Sequence, residues 1–115
     1  MELEHLNMAA LNELKEVMED DFNLLVDTYI SDSIKRVADI KEAFKQADAD
    51  RLSKAAHGLK GSCSNIGATC LYEICKEIEV FARNNELQKT ESFVNSLDSE
   101  FVAVSSMLAA FIKAS

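Results

Sequence analysis

One histidine of this sequence lies in a setting where its side chain could react as a nucleophile. His57 belongs to the run 56–62, which reads AHGLKGS, with a lysine three residues later and a glycine four residues later. An imidazole nitrogen can accept and release a phosphoryl group, and a nearby ammonium group can balance the charge of its oxygens. Because residues three and four apart are neighbours on a helix, Lys60 and Gly61 would lie beside His57 in a helical segment.

A helix over about residues 50–66 directs His57 to solvent. At about 100° per residue, its apolar side chains gather in a sector about 100° wide, and His57 falls about 150° from the centre of that sector. A buried structural role, the usual interpretation of a single histidine, fits this position poorly. The residues that flank His57 on the polar face are candidates for contact with a partner: Lys54 and Gly61 on one side, and Ser53, Lys60 and Ser64 on the other.

Two glycines inside this helix need an explanation, because each costs about 1 kcal/mol relative to alanine in a helix interior. Gly61 lies one turn beyond His57 on the same face, whereas a glycine that allows close helix packing would lie on the apolar side. We therefore predict that Gly61 gives a bulky partner access to the imidazole. Gly58, next to His57, is a further candidate for partner contact.

The charge pattern indicates an anion near His57. The chain carries a net charge of −8, yet the stretch from Arg51 to Tyr72 contains three basic residues and no acidic one. Such a local excess beside an exposed histidine favours an anionic ligand, and Lys60 is the candidate for stabilising it. The alternative for Lys60 alone is a lysine that only improves solubility.

Composition limits the possible folds and partners. The chain has 115 residues, 48% of them hydrophobic, with no proline and three glycines, which favours one all-helical domain. The negative charge argues against nucleic acid and anionic membranes as partners. Three cysteines without a Cys-x-x-Cys pair, and no signal-like opening segment, lead us to expect a cytoplasmic protein with reduced thiols and no metal site.

Apolar periodicity predicts five helices. The predicted ranges are 8–18 after an Asn7 cap, 22–47, 50–66 with Asp50 as cap and Gly67 as stop, 69 to about 84, and 90–113. Four long amphipathic helices with short connections predict an antiparallel up-and-down four-helix bundle, with the short first helix at one end. Because four helices can complete one core, we expect a monomer.

The run 56–62, followed by Asn65-Ile66-Gly67-Ala68, resembles the signature of histidine-containing phosphotransfer (HPt) domains. The preceding helix that ends in Ala47-Asp48 and the later segments 71–75 and Ile78-Glu79 are also similar to that family's pattern. Gly58 stands where many members have a polar residue. Since the chain contains little else, it resembles a stand-alone HPt protein.

This resemblance implies that His57 exchanges a phosphoryl group with the aspartates of receiver domains, one in a hybrid sensor histidine kinase and one in a response regulator. The receiver would supply an acidic pocket and Mg²⁺, so this chain needs no cofactor of its own. Lys60 corresponds to the family's charge-stabilising lysine and Gly61 to its small residue beside the imidazole.

Two other interpretations fit the sequence less well. A histidine kinase dimerisation domain also has a phosphorylatable histidine, but its motif continues with an acidic residue and later a proline, and this sequence has Gly58 and no proline. The chain also lacks glycine-rich nucleotide motifs, so we expect no ATP-dependent kinase activity. A helical adaptor that works without phosphorylation would explain the bundle and the acidity, but not the shared face of His57, Lys60 and Gly61.

Overall fold

The computed structural model describes residues 4–114, and the secondary structure in that range is helical. Five α-helices follow one another along the chain, and a short 3₁₀ turn, Glu19–Asp21, joins the first two. The helices are α1 (Met8–Met18), α2 (Phe22–Lys45), α3 (Ala49–Ile66), α4 (Thr69–Arg83) and α5 (Leu87–Ala114). Each corresponds to one predicted segment.

Helices α2 to α5 form the predicted four-helix bundle. Helix α3 packs between α2 and α4, α5 packs against both α4 and α2, and α1 contacts α2 and α3. The connections between successive long helices are only a few residues long, so neighbours run antiparallel. The predicted fold class is confirmed. Within residues 4–114, no helix is both long enough and apolar enough to cross a membrane.

The core is built from the apolar stripes of all five helices. Its largest fully buried side chains include Phe22, Leu11, Ile40, Leu52, Leu59, Leu71, Ile78, Leu97 and Leu108. Burying one such side chain contributes about 1.5–3 kcal/mol, so this cluster is the main source of stability. Two carboxylates, Glu79 and Glu100, are buried along with it at 2% and 8% exposure. A carboxylate that is removed from water needs polar partners, so both glutamates must have them.

The N-cap of α3 lies two residues earlier than predicted. Asp48, not Asp50, is the N-cap, and its carboxylate accepts a hydrogen bond from the backbone N–H of Arg51. The reason is that α2 ends at Lys45 and Ala47 adopts a left-handed conformation with φ of 55°, which reverses the chain before Asp48. The predicted stop is confirmed, since Gly67 ends α3 with φ of 80°.

The segment before α1 is attached to the turn between α3 and α4. The carbonyl oxygen of Glu4 accepts hydrogen bonds from Cys70 N and Thr69 Oγ1, at 3.0 and 2.6 Å. His5 Nδ1 lies 2.6 Å from a carboxylate oxygen of Glu100 on α5. The contact with His5 gives Glu100, one of the two buried carboxylates, a polar partner.

Candidate functional site

His57 lies in the middle of α3 with its side chain 67% exposed, as its place on the polar face predicts. One ring nitrogen is nevertheless held in position: Nδ1 lies 2.8 Å from Oε2 of Glu79 on α4. The imidazole is thus accessible to a partner and oriented by the protein at the same time.

Glu79 connects the charged side chains around His57. Its side chain is 3% exposed, and Oε1 accepts a hydrogen bond from Lys60 Nζ at 2.7 Å. Oε2 contacts both His57 and the guanidinium of Arg83, one turn later on α4. One buried carboxylate therefore has three nitrogen partners, which offset the cost of removing it from water.

The partners of Glu79 also set its ionisation. Burial alone raises the pKa of the Glu79 carboxyl, but the hydrogen bonds from Lys60 and His57 outweigh burial and hold the pKa below its ordinary value. Glu79 is therefore a carboxylate near neutral pH and acts as a hydrogen-bond acceptor. In a neutral imidazole, Nδ1 must then carry the hydrogen, which leaves the lone pair of Nε2 free to react.

The position of Glu79 follows from the packing of α4 on α3. The buried face of α4 includes Leu71, Cys75, Ile78 and Ala82, and Glu79 lies one turn after Cys75 on that face. Sequence reasoning included Glu79 only in the run similar to HPt domains and gave it no role. A carboxylate inside an apolar stripe was the signal that could have identified it, together with Arg83 four residues later.

Lys60 lies beside His57, as predicted, but its ammonium group contacts the chain's own carboxylate. Its side chain is 23% exposed and paired with Glu79. The role of Lys60 toward a phosphoryl group stays a prediction, now with the addition that its charge is shared with Glu79.

The basic stretch is balanced by carboxylates that lie outside it in sequence. Each of its three cations forms an ion pair: Arg51 with Asp39, Lys54 with Asp50, and Lys60 with Glu79. The anions that the charge pattern indicated are therefore supplied here by α2, by the start of α3 and by α4. The sequence could not show this, because two of the three partners come from other helices.

The two helical glycines differ in their surroundings. A Cβ added at Gly61 would meet nothing within 4 Å, so the space beside His57 is open there. This geometry supports access and disfavours a packing role. At Gly58 an added Cβ would lie 2.1 Å from a guanidinium nitrogen of Arg36 on α2. Gly58 is therefore covered by Arg36, which sequence reasoning did not identify.

Of the other predicted contact residues, Ser53 and Lys54 lie near His57 and Ser64 does not. Ser53 and Lys54 line a cleft of about 630 Å³ between α3 and α4, together with His57 and Arg83. Ser64 is exposed and lines a different groove, next to Asn7 and Gly67 at the end of α3. A partner centred on His57 has to extend about two helical turns to reach it.

Comparison with known proteins identifies relatives of this chain. A model of the Hpt domain matches residues 24–113. The phosphorelay intermediate protein rdeA of Dictyostelium discoideum is 33% identical over 89 residues, which cover 77% of this chain and 35% of that protein. The chain thus spans about a third of the length of this curated relative.

Solved structures agree in fold. Histidine-containing phosphotransfer protein B from Pseudomonas aeruginosa superposes with a TM-score of 0.93 at 35% identity, covering 99% of both chains. Two plant phosphotransfer proteins share the fold at lower identity. ZmHP2 from maize has a TM-score of 0.83 at 17% identity, with 95% of this chain and 84% of that chain covered. MtHPt2 from Medicago truncatula has a TM-score of 0.80 at 23% identity, with 95% and 78% covered. Because the family model matches most of the chain, the protein belongs to the Hpt domain family.

Proposed function

We propose that this chain is a phosphorelay intermediate that carries a phosphoryl group on Nε2 of His57. It receives the group from the receiver aspartate of a hybrid sensor histidine kinase and passes it to the receiver aspartate of a response regulator. The observation that carries this proposal is the exposed imidazole of His57, whose Nδ1 is held by the buried carboxylate of Glu79 at 2.8 Å. Membership of the Hpt domain family supports it.

The transfer step follows from this geometry. Nε2 attacks the phosphorus atom of an aspartyl phosphate, the N–P bond forms, and the P–O bond to the aspartate breaks and releases a carboxylate. The proton stays on Nδ1, so positive charge develops on the ring, and the Glu79 carboxylate stabilises that charge. The same protonated ring is a good leaving group when the phosphoryl group moves on. The contact between Glu79 and His57 therefore favours transfer both to His57 and from it.

Lys60 and Arg83 add positive charge on the α4 side of the ring. Both are held by Glu79, next to the position of the imidazole. A dianionic phosphoryl group on Nε2 is favoured by fixed cations in its surroundings. We assign to Lys60 the charge stabilisation expected from sequence and add Arg83 as a second cation.

An experiment with a phosphorylated receiver domain distinguishes phosphotransfer from the adaptor alternative. Incubation of the chain with a radiolabelled receiver and Mg²⁺ should give label on the chain that is lost in acid and retained in base. ATP alone should give none. A chain that binds receivers but never gains acid-labile label would act as an adaptor, and the proposal would be wrong.

Substitution of Gly61 tests access to the imidazole. A leucine at Gly61 leans back toward His57 and fills the open space, so we expect transfer from a receiver to fall by a factor of about 10–100. The variant should be more stable by about 0.5–1 kcal/mol, since a mid-helix glycine is removed. The measurements are transfer rates from a receiver and from phosphoramidate, a donor that needs little room and should lose less.

Gly61→Ala is the matched control, because a methyl group adds helix propensity and little bulk. If Gly61→Leu accepted a phosphoryl group from a receiver at the normal rate, the access role would be refuted. A variant that failed to fold would instead assign Gly61 to packing.

A further inference from the structure

The guanidinium of Arg36 on α2 lies over Gly58 of α3, the residue that follows His57 in sequence. A Cβ added at Gly58 would lie 2.1 Å from Nη1 and 3.1 Å from Cζ of Arg36. Such distances are far below van der Waals contact, so a side chain at Gly58 would displace the flexible end of Arg36. The position of Arg36 therefore depends on the missing side chain of Gly58.

Arg36 also differs from the other cations around His57 in its pairing. Lys54, Lys60 and Arg83 each contact a carboxylate of the chain. Arg36 is exposed and forms no ion pair with any residue in the range 4–114. An exposed guanidinium with unused donors is suited to bind a carboxylate of another molecule.

The side of α3 on which Arg36 lies indicates a protein partner. Glu79 holds the imidazole from the α4 side, whereas Gly58 lies about 100° further round α3, toward α2. Arg36 thus lies on the α2 side of α3, whereas Glu79 lies on its α4 side. A receiver that docks on the α2 side of α3 while it delivers its phosphoaspartate to Nε2 would meet Arg36, and the acidic pocket that the resemblance implies for a receiver carries the complementary charge.

We propose that Arg36, seated on Gly58, binds a carboxylate at the rim of the partner receiver's acidic pocket and helps to select that partner. The inference rests on the proposed phosphotransfer function. Asp32 lies one turn earlier on α2 and has no ion pair among the described residues. A side chain at Gly58 would push Arg36 away, toward helix neighbours such as Asp32, and would weaken the contact with the partner.

Charge reversal at Arg36 tests the proposal against a neighbouring lysine. Lys35 is exposed, forms no ion pair among residues 4–114, and points about 100° away around α2. Arg36→Glu should lower kcat/KM for transfer from a receiver about three- to tenfold and flatten its dependence on salt. Gly58→Ala should act in the same direction with a smaller effect, and Lys35→Glu should leave kcat/KM unchanged.

Three readouts decide the outcome. Labelling by phosphoramidate and hydrolysis of the phosphohistidine should change less in Arg36→Glu than transfer from the receiver does. If all three changed in parallel, Arg36 would act on the phosphoryl group and the partner contact would be refuted. If Arg36→Glu and Lys35→Glu lowered kcat/KM equally, the effect would come from net charge alone, and the specific contact of Arg36 would be refuted. Normal transfer in Arg36→Glu would overturn this inference alone, whereas absence of transfer in the unmodified chain would overturn the proposed function.

Discussion

Replacement of His57 by glutamine is expected to abolish phosphoryl acceptance from receivers and from phosphoramidate alike. A side-chain amide has no nucleophilic nitrogen, so no covalent intermediate can form. The fold should survive, because exposed side chains contribute within about 0.5 kcal/mol and Glu79 keeps its contacts with Lys60 and Arg83. Acid-labile label and the thermal midpoint, measured on the same preparation, check both parts.

His5 provides the matched control for this substitution. It also contacts a buried carboxylate through Nδ1, that of Glu100, but it belongs to the segment attached to the end of α3. His5→Gln should therefore retain full labelling. Label on the His57→Gln protein, or loss of label in His5→Gln, would show that the reactive histidine has been wrongly assigned.

Replacement of Glu79 by glutamine should have the second largest effect, because it changes both reactivity and stability. An amide can present its NH₂ group to Nδ1, which favours the wrong tautomer and no longer stabilises positive charge on the ring. For histidines that bind metals, the partner that fixes the tautomer contributes a factor of about 10–100, and we expect transfer to fall by a similar amount here. Lys60 also loses its partner, so the free energy of unfolding should fall by about 1–3 kcal/mol.

The stability loss in Glu79→Gln should depend on pH in a defined direction. The pKa of Glu79 in the folded chain lies below its ordinary value of 4.5. Ionised Glu79 therefore stabilises the fold above about pH 4.5, and this contribution disappears as the pH falls through the lower folded-state pKa. In urea unfolding, Glu79→Gln should have a lower free energy of unfolding than the unmodified chain near neutral pH. In acid the two free energies should become similar.

Glu77→Gln is the control on the same helix, since Glu77 forms no ion pair among residues 4–114. It removes the same charge without disturbing the contacts of His57. If Glu79→Gln transferred normally, or lost no more stability than Glu77→Gln, the carboxylate of Glu79 would have no part in the site.

The sequence predicted the helices well because each carries its own periodic signal. Helix α1 begins after Asn7 and α4 begins at Thr69, both as predicted. The predicted cap of α3, Asp50, was wrong because Asp48 and Asp50 are chemically equal candidates. The choice between them depends on the conformation of Ala47. Local sequence rules do not specify that a non-glycine residue takes a left-handed conformation there.

Only the part of the site that lies on α3 could be predicted from the sequence. The exposure of His57 and the open space at Gly61 follow from rotation about the axis of α3. The contact between His57 and Glu79 requires α4 to pack in one register, and the contact between Gly58 and Arg36 requires the same of α2. One sequence does not fix these registers, so Glu79, Arg83 and Arg36 were identified only in the structure.

The helical hairpin formed by α3 and α4 has a consequence for folding order. It contributes His57, Lys60, Glu79 and Arg83, and only Gly67 and Ala68 separate its helices. Contacts between residues close in sequence have low contact order and close a short loop at little entropic cost. His57 can therefore meet Glu79 early in folding, before the longer-range pairing of α2 with α5 completes the bundle.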